Sequence, residues 1–441
     1  MPFDFAKALN TGDTAWVLAS AALVLLMTPG LAFFYGGMVR AKNVLGMLMQ
    51  NFICIGIVSV LWVAFTYSIA FGGSNTIIGG FHFAGLNHMS EQVPGGIGAT
   101  IPPLVFVAFQ LMFAVITPAL ITGSTADRWK FGPFVLFVTL WAILVYAPIA
   151  HWVFSPKGWL FQRGAEDFAG GTVVHANAGA AAIAVAIVLG KRRGWPRDNM
   201  RPHNVPFVLL GAGLLWFGWF GFNAGSALGA NNIAGVAFIN TNTATAAAMI
   251  GWLIIEKIRD GHPTTLGAAS GAVAGLVAIT PAAGFVSPVG SIILGVIAGA
   301  VCCLCTTLKF KLGLDDSLDV GAVHLVGGVL GALLIGLLGS KDLNPAGLDG
   351  VFYGGGWKLM AKQGEAVGAT VGYSFVATLI IAYGINLIWK MKMTEDEELE
   401  GMDTVLHNET AYESGGLFSG GSLGSSSSGS TISVPREEVK A

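Results

Sequence analysis

Eleven stretches of about 20 mostly apolar residues run through this 441-residue chain, and they leave it little choice of fold. A helix needs roughly that length to cross the hydrocarbon core of a bilayer. In lipid each backbone polar group must be satisfied within its own segment or a closed barrel. The first five runs centre on Ala15–Tyr35, Val44–Phe71, Ile101–Thr122, Phe131–Phe154 and Thr172–Leu189. The next five centre on Val205–Leu228, Ile233–Ile255, Thr264–Thr280, Ser287–Phe310 and Val320–Leu338, and Ala366–Trp389 closes the series. Composition agrees with lipid as the solvent. Only 11% of residues are charged and 54% are hydrophobic, whereas a soluble domain carries about 25% charge. The 62 glycines sit largely inside the apolar runs, where small residues let helices approach closely.

Loop charge provides an independent count. With the N-terminus outside, the loops after odd-numbered spans and the start of the tail hold fifteen of the 23 Lys and Arg residues. The other loops hold five, and three lie near the termini. Positive charge collects on the cytoplasmic side, so the alternation supports eleven spans, an extracellular N-terminus (1–14) and a cytoplasmic tail (393–441). Residues 1–14 lack the basic start of a cleavable signal, and the first span is expected to stay.

Two halves, about 15–190 and 205–340, share short motifs. Ile-Thr-Pro-Ala occurs at 116–119 and 279–282, and Asp167 before His175 is matched by Asp319 before His324. Five helices is an odd number, so such halves cross the membrane in opposite senses, with function expected near the midplane. The fold expected is an all-α membrane protein with two inverted five-helix repeats plus a last helix at about 366–389. Beyond Met393 an acidic run and a Ser/Gly-rich stretch cannot bury enough apolar surface to fold alone, and disorder is expected after about 413.

Ionisable residues inside spans are costly and mark function. His175 lies eight residues past Asp167, roughly 12 Å deeper at 1.5 Å per residue. His324 descends from the opposite face. A lone buried histidine is usually bonded to a backbone carbonyl, but two at equivalent repeat positions point to a shared site. Imidazole can donate or accept a hydrogen bond and carry a proton near neutral pH, which suits a small amine. Two neighbouring imidazoles in a dry passage cannot both be charged cheaply. Phe109 and Phe113 share one helix face, as do Phe222 and Ser226. Their ring faces can hold a cation at about 0.5–2 kcal/mol per contact, with Ser226 adding a hydrogen bond and Asp167 a negative potential. No metal site is indicated: Cys54, Cys302, Cys303 and Cys305 lie in apolar runs without histidines at ligand spacing. No Ser/His/Asp set, HExxH or catalytic carboxylate pair argues for an enzyme, and no basic stripe argues for nucleic acid.

These residues resemble the ammonium transporters of the Amt/Mep/Rh superfamily, Amt branch. The matching stretches are PGLAFFYGGMVR (29–40), DFAGGTVVHAN (167–177), GWFGFNAGS (218–226), 266–284 and DDSLDVGAVH (315–324), within 16–412 overall. The resemblance implies a homotrimer in the cell membrane with one pore per subunit, conducting ammonium or ammonia with methylammonium as an analogue and without a cofactor. It implies a recruitment site at Phe113, Phe222 and Ser226, supported by Asp167, a phenyl gate at Phe109 and Phe222, and twin pore histidines at His175 and His324. The family commonly has Trp in a His-x-Val-Trp context. Here Phe154 follows His151-Trp152-Val153, which leaves Phe154, Trp152 and Trp159 as candidates for that place. In the tail, Gly401, Asp403, Glu409 and Tyr412 resemble a segment that packs beneath the trimer and cooperates with a PII-type signalling protein. An ammonium sensor signalling through this tail is the alternative.

Overall fold

The computed structural model describes residues 9–73, 75–90, 96–198 and 200–412. Twelve helices organise them. The first six are α1 (Thr11–Met38), α2 (Ala41–Phe71), α3 (Pro103–Thr125), α4 (Phe131–Arg163), α5 (Gly171–Leu189) and α6 (Val205–Gly225). Then come α7 (Asn232–Asp260), α8 (Thr265–Ile279), α9 (Pro288–Leu312), α10 (Gly321–Leu338) and α11 (Lys358–Ile388), followed by the short α12 (Glu395–Glu400). Ten are long and apolar enough to cross a membrane, and α8 is an apolar helix of 15 residues. The fold is an all-helical membrane bundle.

One expected boundary moves, and the eighth span keeps the end expected of it. The eighth span ends before Pro281, because a proline lacks the N–H that would continue the helix and restricts the residue before it. The chain at 280–286 is buried turn, and Asn240 Nδ2 donates to the Ala283 and Val286 carbonyls at 2.9 and 2.7 Å. Irregular backbone at membrane depth is tolerated where protein satisfies it in this way. The last helix starts at Lys358 rather than at about 366, since its helical geometry continues past the apolar run into a turn carrying Lys358 and Lys362. Within α4, Pro148 removes the N–H that the Leu144 carbonyl would receive. Tyr373 of α11 donates its hydroxyl to that carbonyl at 2.8 Å, so the two helices are tied where the ladder is interrupted.

The central pair is α1 against α6, the first helix of each half, and α7 packs on α8 and α9. At the closest approach of α5 and α10, small residues decide the distance. A Cβ on Gly179 would lie 2.3 Å from the Leu325 backbone N, and one on Gly328 would lie 2.8 Å from the Ala176 backbone N. Each glycine is four residues after a histidine and abuts the residue following the other histidine, as inverted symmetry requires.

The tail from 391 packs on the bundle. Lys130 N–H donates to Met391 O at 2.8 Å and Met393 N–H to Arg128 O at 2.9 Å. Thr394 and Glu397 form a capping box that starts α12. Gly401 has a φ of 115°, open to glycine, and its Cα faces the Lys42 carbonyl with no room for a side chain. Asp403 accepts from the Gly46 N–H at the start of α2 at 2.9 Å, and Glu409 N–H donates to Asp403 O at 3.1 Å. Beside this segment, Arg192 grips Asp315 with Nε and Nη2 at 2.9 and 2.8 Å. Burial opposes the Asp315 charge, but the Arg192 and Arg128 guanidiniums outweigh it and hold the carboxyl below the usual carboxylate range. Tyr412 begins a second unit, Tyr412–Ala441, of which it alone is described. The expected disorder after about 413 and the first eight residues of the N-terminal segment lie outside the described residues.

Candidate functional site

Each half of the chain builds the same local device. Asp167, just before α5, turns its carboxylate onto the helix start. Oδ1 accepts from the N–H groups of Gly170 (2.8 Å) and Gly171 (2.6 Å), and Oδ2 from those of Thr172 (2.8 Å) and Val173 (3.2 Å) and from the Thr172 hydroxyl. A carboxylate at a helix N-terminus satisfies orphan donors and matches the helix dipole. In the second half the equivalent acid is Asp316, accepting from Val320 N–H at 3.1 Å and Gly321 N–H at 2.7 Å.

This corrects the expected pairing of Asp319 with His324. Asp316, eight residues before its histidine, corresponds to Asp167. Asp319 corresponds to Gly170, and both have left-handed backbone, with φ of 60° and 107°. Asp319 instead pairs with Lys309 at 2.8 Å. Matching the distance to the histidine, rather than taking the nearest aspartate, finds Asp316 in the sequence.

Both histidines lie in π turns, Gly171–Ala176 and Gly321–Leu325. A π turn adds a residue to the ladder and recurs at functional sites. The turns meet where the helices cross. His175 Nδ1 and His324 Nδ1 are 3.3 Å apart, and the rings are nearly parallel, with centroids 5.4 Å apart. Both side chains are buried. A hydrogen bond between two Nδ1 atoms needs one proton on the pair, so one ring is the donor and the other the acceptor. Trp219 stacks on His175 at 5.2 Å, and its indole N–H donates to the Thr280 hydroxyl at 2.8 Å.

Above His175, on the Asp167 face of the bundle, rings close the way. Phe222 is 6.0 Å from the His175 ring and 4.2 Å from Phe113, while Phe109 meets Phe113 edge-on at 4.9 Å. All three phenylalanines are buried. The gate expected from Phe109 and Phe222 thus has Phe113 touching both. Beyond it opens a cavity of about 490 Å³ lined by Gln110, Phe113, Phe154, Glu166, Asp167 and Ser226, among others. Phe154 stands edge-on to Phe113 at 6.3 Å. Trp152 packs on Trp159 and Tyr373 and donates its indole N–H to Ile77 O at 2.7 Å, so its polar edge is spent there. The Ser226 hydroxyl donates to Phe222 O at 2.8 Å and keeps its lone pairs for a donor. Gln110 Oε1 is buried without a protein partner. It was not singled out from the sequence, although its place between Phe109 and Phe113 was the available signal.

Below the histidines, toward the face that carries the tail, a smaller cavity of about 70 Å³ is lined by His324, Asp319, Tyr35, Ser270 and Trp252. Two cavities therefore approach one another from opposite faces, separated by a phenyl seal and the imidazole pair. This arrangement excludes a hydrated ion. It offers a small molecule ring faces, then a buried pair of imidazoles within hydrogen-bond distance. No group of three or more His, Cys, Asp or Glu suited to a metal occurs among the described residues.

The family model described as Ammonium Transporter Family matches residues 15–412. A protein named ammonium transporter from Mycobacterium tuberculosis is 52% identical over 430 residues, covering 91% of this chain and 90% of that relative. One of the same name from Bacillus subtilis is 50% identical, covering 92% of this chain and 99% of its own length. The crystal structure of Saccharomyces cerevisiae Mep2 superposes with a TM-score of 0.82 at 34% identity, covering 89% of this chain and 92% of that one.

Proposed function

This chain belongs to the ammonium transporter family and carries ammonium across a membrane, and we propose that it does so by stripping the ion of its proton at the phenyl seal and passing ammonia along the histidine pair. The observation that carries this reading is the hydrogen-bonded His175–His324 pair between two facing cavities, behind buried rings.

Ammonium is recruited in the larger cavity. Phe113 and Phe154 present their rings, with Phe222 stacked behind Phe113, and the Ser226 hydroxyl and Gln110 Oε1 accept its N–H groups. A phenyl ring is a weaker cation partner than an indole, so Phe154 makes this a looser cage than one completed by Trp. Asp167 holds the floor of the cavity by fixing the start of α5. A bare cation at the bilayer centre costs at least about 2.5–3.5 kcal/mol. The neutral amine avoids this cost, and desolvation lowers the amine's pKa in the direction of proton loss. Past Phe222 the histidines offer ammonia one bare ring nitrogen and one N–H. Their Nδ1–Nδ1 hydrogen bond also offers the proton a route of its own: a transfer between the rings, followed by exchange at the Nε2 atoms, moves charge through the same pair.

The cavity bearing Asp167 opens outward in this reading, following the charge asymmetry of the loops, and the tail is cytoplasmic in the cell membrane. Three copies form the working assembly, each with its own pore. The tail segment from Gly401, anchored by the buried Asp403, sets the exposed Glu409 on the face offered to a PII-type signalling protein. A sensor with vestigial transport is set aside, since the curated relatives are named as transporters.

The test is current and methylammonium uptake in proteoliposomes after an ammonium jump. We expect uptake in the wild-type protein and altered conduction or ion selectivity in His175→Ala at equal expression. Unaltered rate and ion preference in that variant would remove the histidines from the mechanism. A current that accompanies uptake assigns the proton to the pair; its absence in active vesicles assigns electroneutral ammonia.

A further inference from the structure

Asp167 is the acid that the recruitment reading places near the cation, yet both its oxygens are taken up by the start of α5. A neighbouring carboxylate is differently placed. Glu166 is 7% exposed and lines the same cavity as Phe113, Phe154 and Ser226. Its backbone is clamped from both sides by Gln363 of α11: the Glu166 N–H donates to Gln363 Oε1 and Gln363 Nε2 donates to the Glu166 carbonyl, each at 2.7 Å. Its Oε1 accepts from the Leu348 N–H at 2.7 Å, while its Oε2 is buried with no partner in the protein. A buried acceptor left open beside a cavity is costly unless something donates to it.

We propose that Glu166 is the acid that draws the cation into the recruitment cavity, its open Oε2 supplying the negative potential that Asp167 has committed to a helix. The inference rests on the recruitment reading above and adds a residue and a pH dependence to it. The charged groups facing Glu166 are Lys362 on α11, which lines the cavity too, and Asp349 on the 339–350 loop; Asp167 adjoins it in the chain, and the Arg163–Glu365 pair joins the adjacent ends of α4 and α11. Burial dominates this balance and, helped by Asp349, pushes the Glu166 carboxyl up to about 7 against the Leu348 hydrogen bond and Lys362. Above that pH the carboxylate offsets Lys362 and attracts cations. Below it the carboxyl is neutral, Lys362 is uncompensated, and recruitment weakens.

The experiment measures methylammonium uptake by the full-length protein in proteoliposomes with the internal pH fixed and the outer pH varied from about 8 to about 5.5. An alkylamine, with a pKa near the lysine value of about 10.4, stays a cation throughout. In the wild type the half-saturating concentration should rise about fivefold through a midpoint near 7, for a unit charge partly screened across the cavity, with the maximal rate unchanged. Glu166→Gln keeps an acceptor for Leu348 and should hold the high value at every pH. Lys362→Met should lower half-saturation and move the midpoint to higher pH, because the carboxylate loses its cation. A Glu166→Gln protein that keeps the wild-type pH profile, or a Lys362→Met midpoint that stays put or falls, overturns the proposal. Phe222→Ala and Ser226→Ala separate the two readings: if neither shifts half-saturation, the recruitment site itself is misplaced, whereas a shift in both with none in Glu166→Gln removes Glu166 alone.

Discussion

Gly179→Ala should uncouple the two histidines without touching either. The added methyl carbon would sit 2.3 Å from Leu325 N and 2.6 Å from its Cα, and both are backbone atoms that cannot rotate away. Non-bonded contact between heavy atoms settles near about 3.5 Å, so α5 and α10 must part by about 1 Å at the crossing. Leu325 follows His324, and the Nδ1–Nδ1 distance of 3.3 Å opens past about 4 Å, beyond hydrogen bonding. Overpacking of this kind costs about 1–3 kcal/mol, which lowers the thermal midpoint in detergent. Transport should fall about tenfold or more, since a displacement of about 1 Å in a positioned site commonly costs still more. The assay is methylammonium uptake with current recorded in the same vesicles. Gly213→Ala is the control: on α6 its Cβ would meet nothing within 4 Å, and alanine there favours the helix by up to about 1 kcal/mol. If Gly179→Ala conducts like the wild type while its thermal midpoint falls, proton sharing between the imidazoles is not what the passage depends on.

Three further outcomes are expected. Asp316→Ala should destabilise the start of α10 by about 1–2 kcal/mol, seen as a lower thermal midpoint, whereas Asp319→Asn should cost less; the reverse order would restore Asp319 as the partner of the repeat. Asp315 has a depressed carboxyl pKa in the folded protein, so its contribution is present above the unfolded value of about 3.9 and lost as pH falls through the folded value. Asp315→Asn should therefore flatten the loss of thermal stability below about pH 4, and an unchanged acid limb refutes the pairing. Asp403→Ala removes the acceptor for Gly46 N–H, worth about 1 kcal/mol; limited proteolysis should then cut within 393–412 faster than in the wild type, and equal protection would show that the tail is held elsewhere.

How far the sequence alone reaches differs from element to element. Apolar runs and loop charge carried the helical bundle because lipid leaves so few ways to satisfy a backbone. The polar first turns of α11 moved one boundary, since hydropathy measures the solvent a segment prefers and not where its hydrogen-bond ladder stops. The histidines, the phenylalanines and Ser226 were legible as residue types at recurring spacings. Their relations were not: that Phe113 touches both other rings, that Trp152 spends its indole on Ile77, and that Glu166 keeps an open oxygen. Such facts depend on contacts between residues from 75 to 182 positions apart in the chain, which only the packed helices bring together. The chain by itself determined what could be buried; only the packed bundle decided which buried groups share a proton.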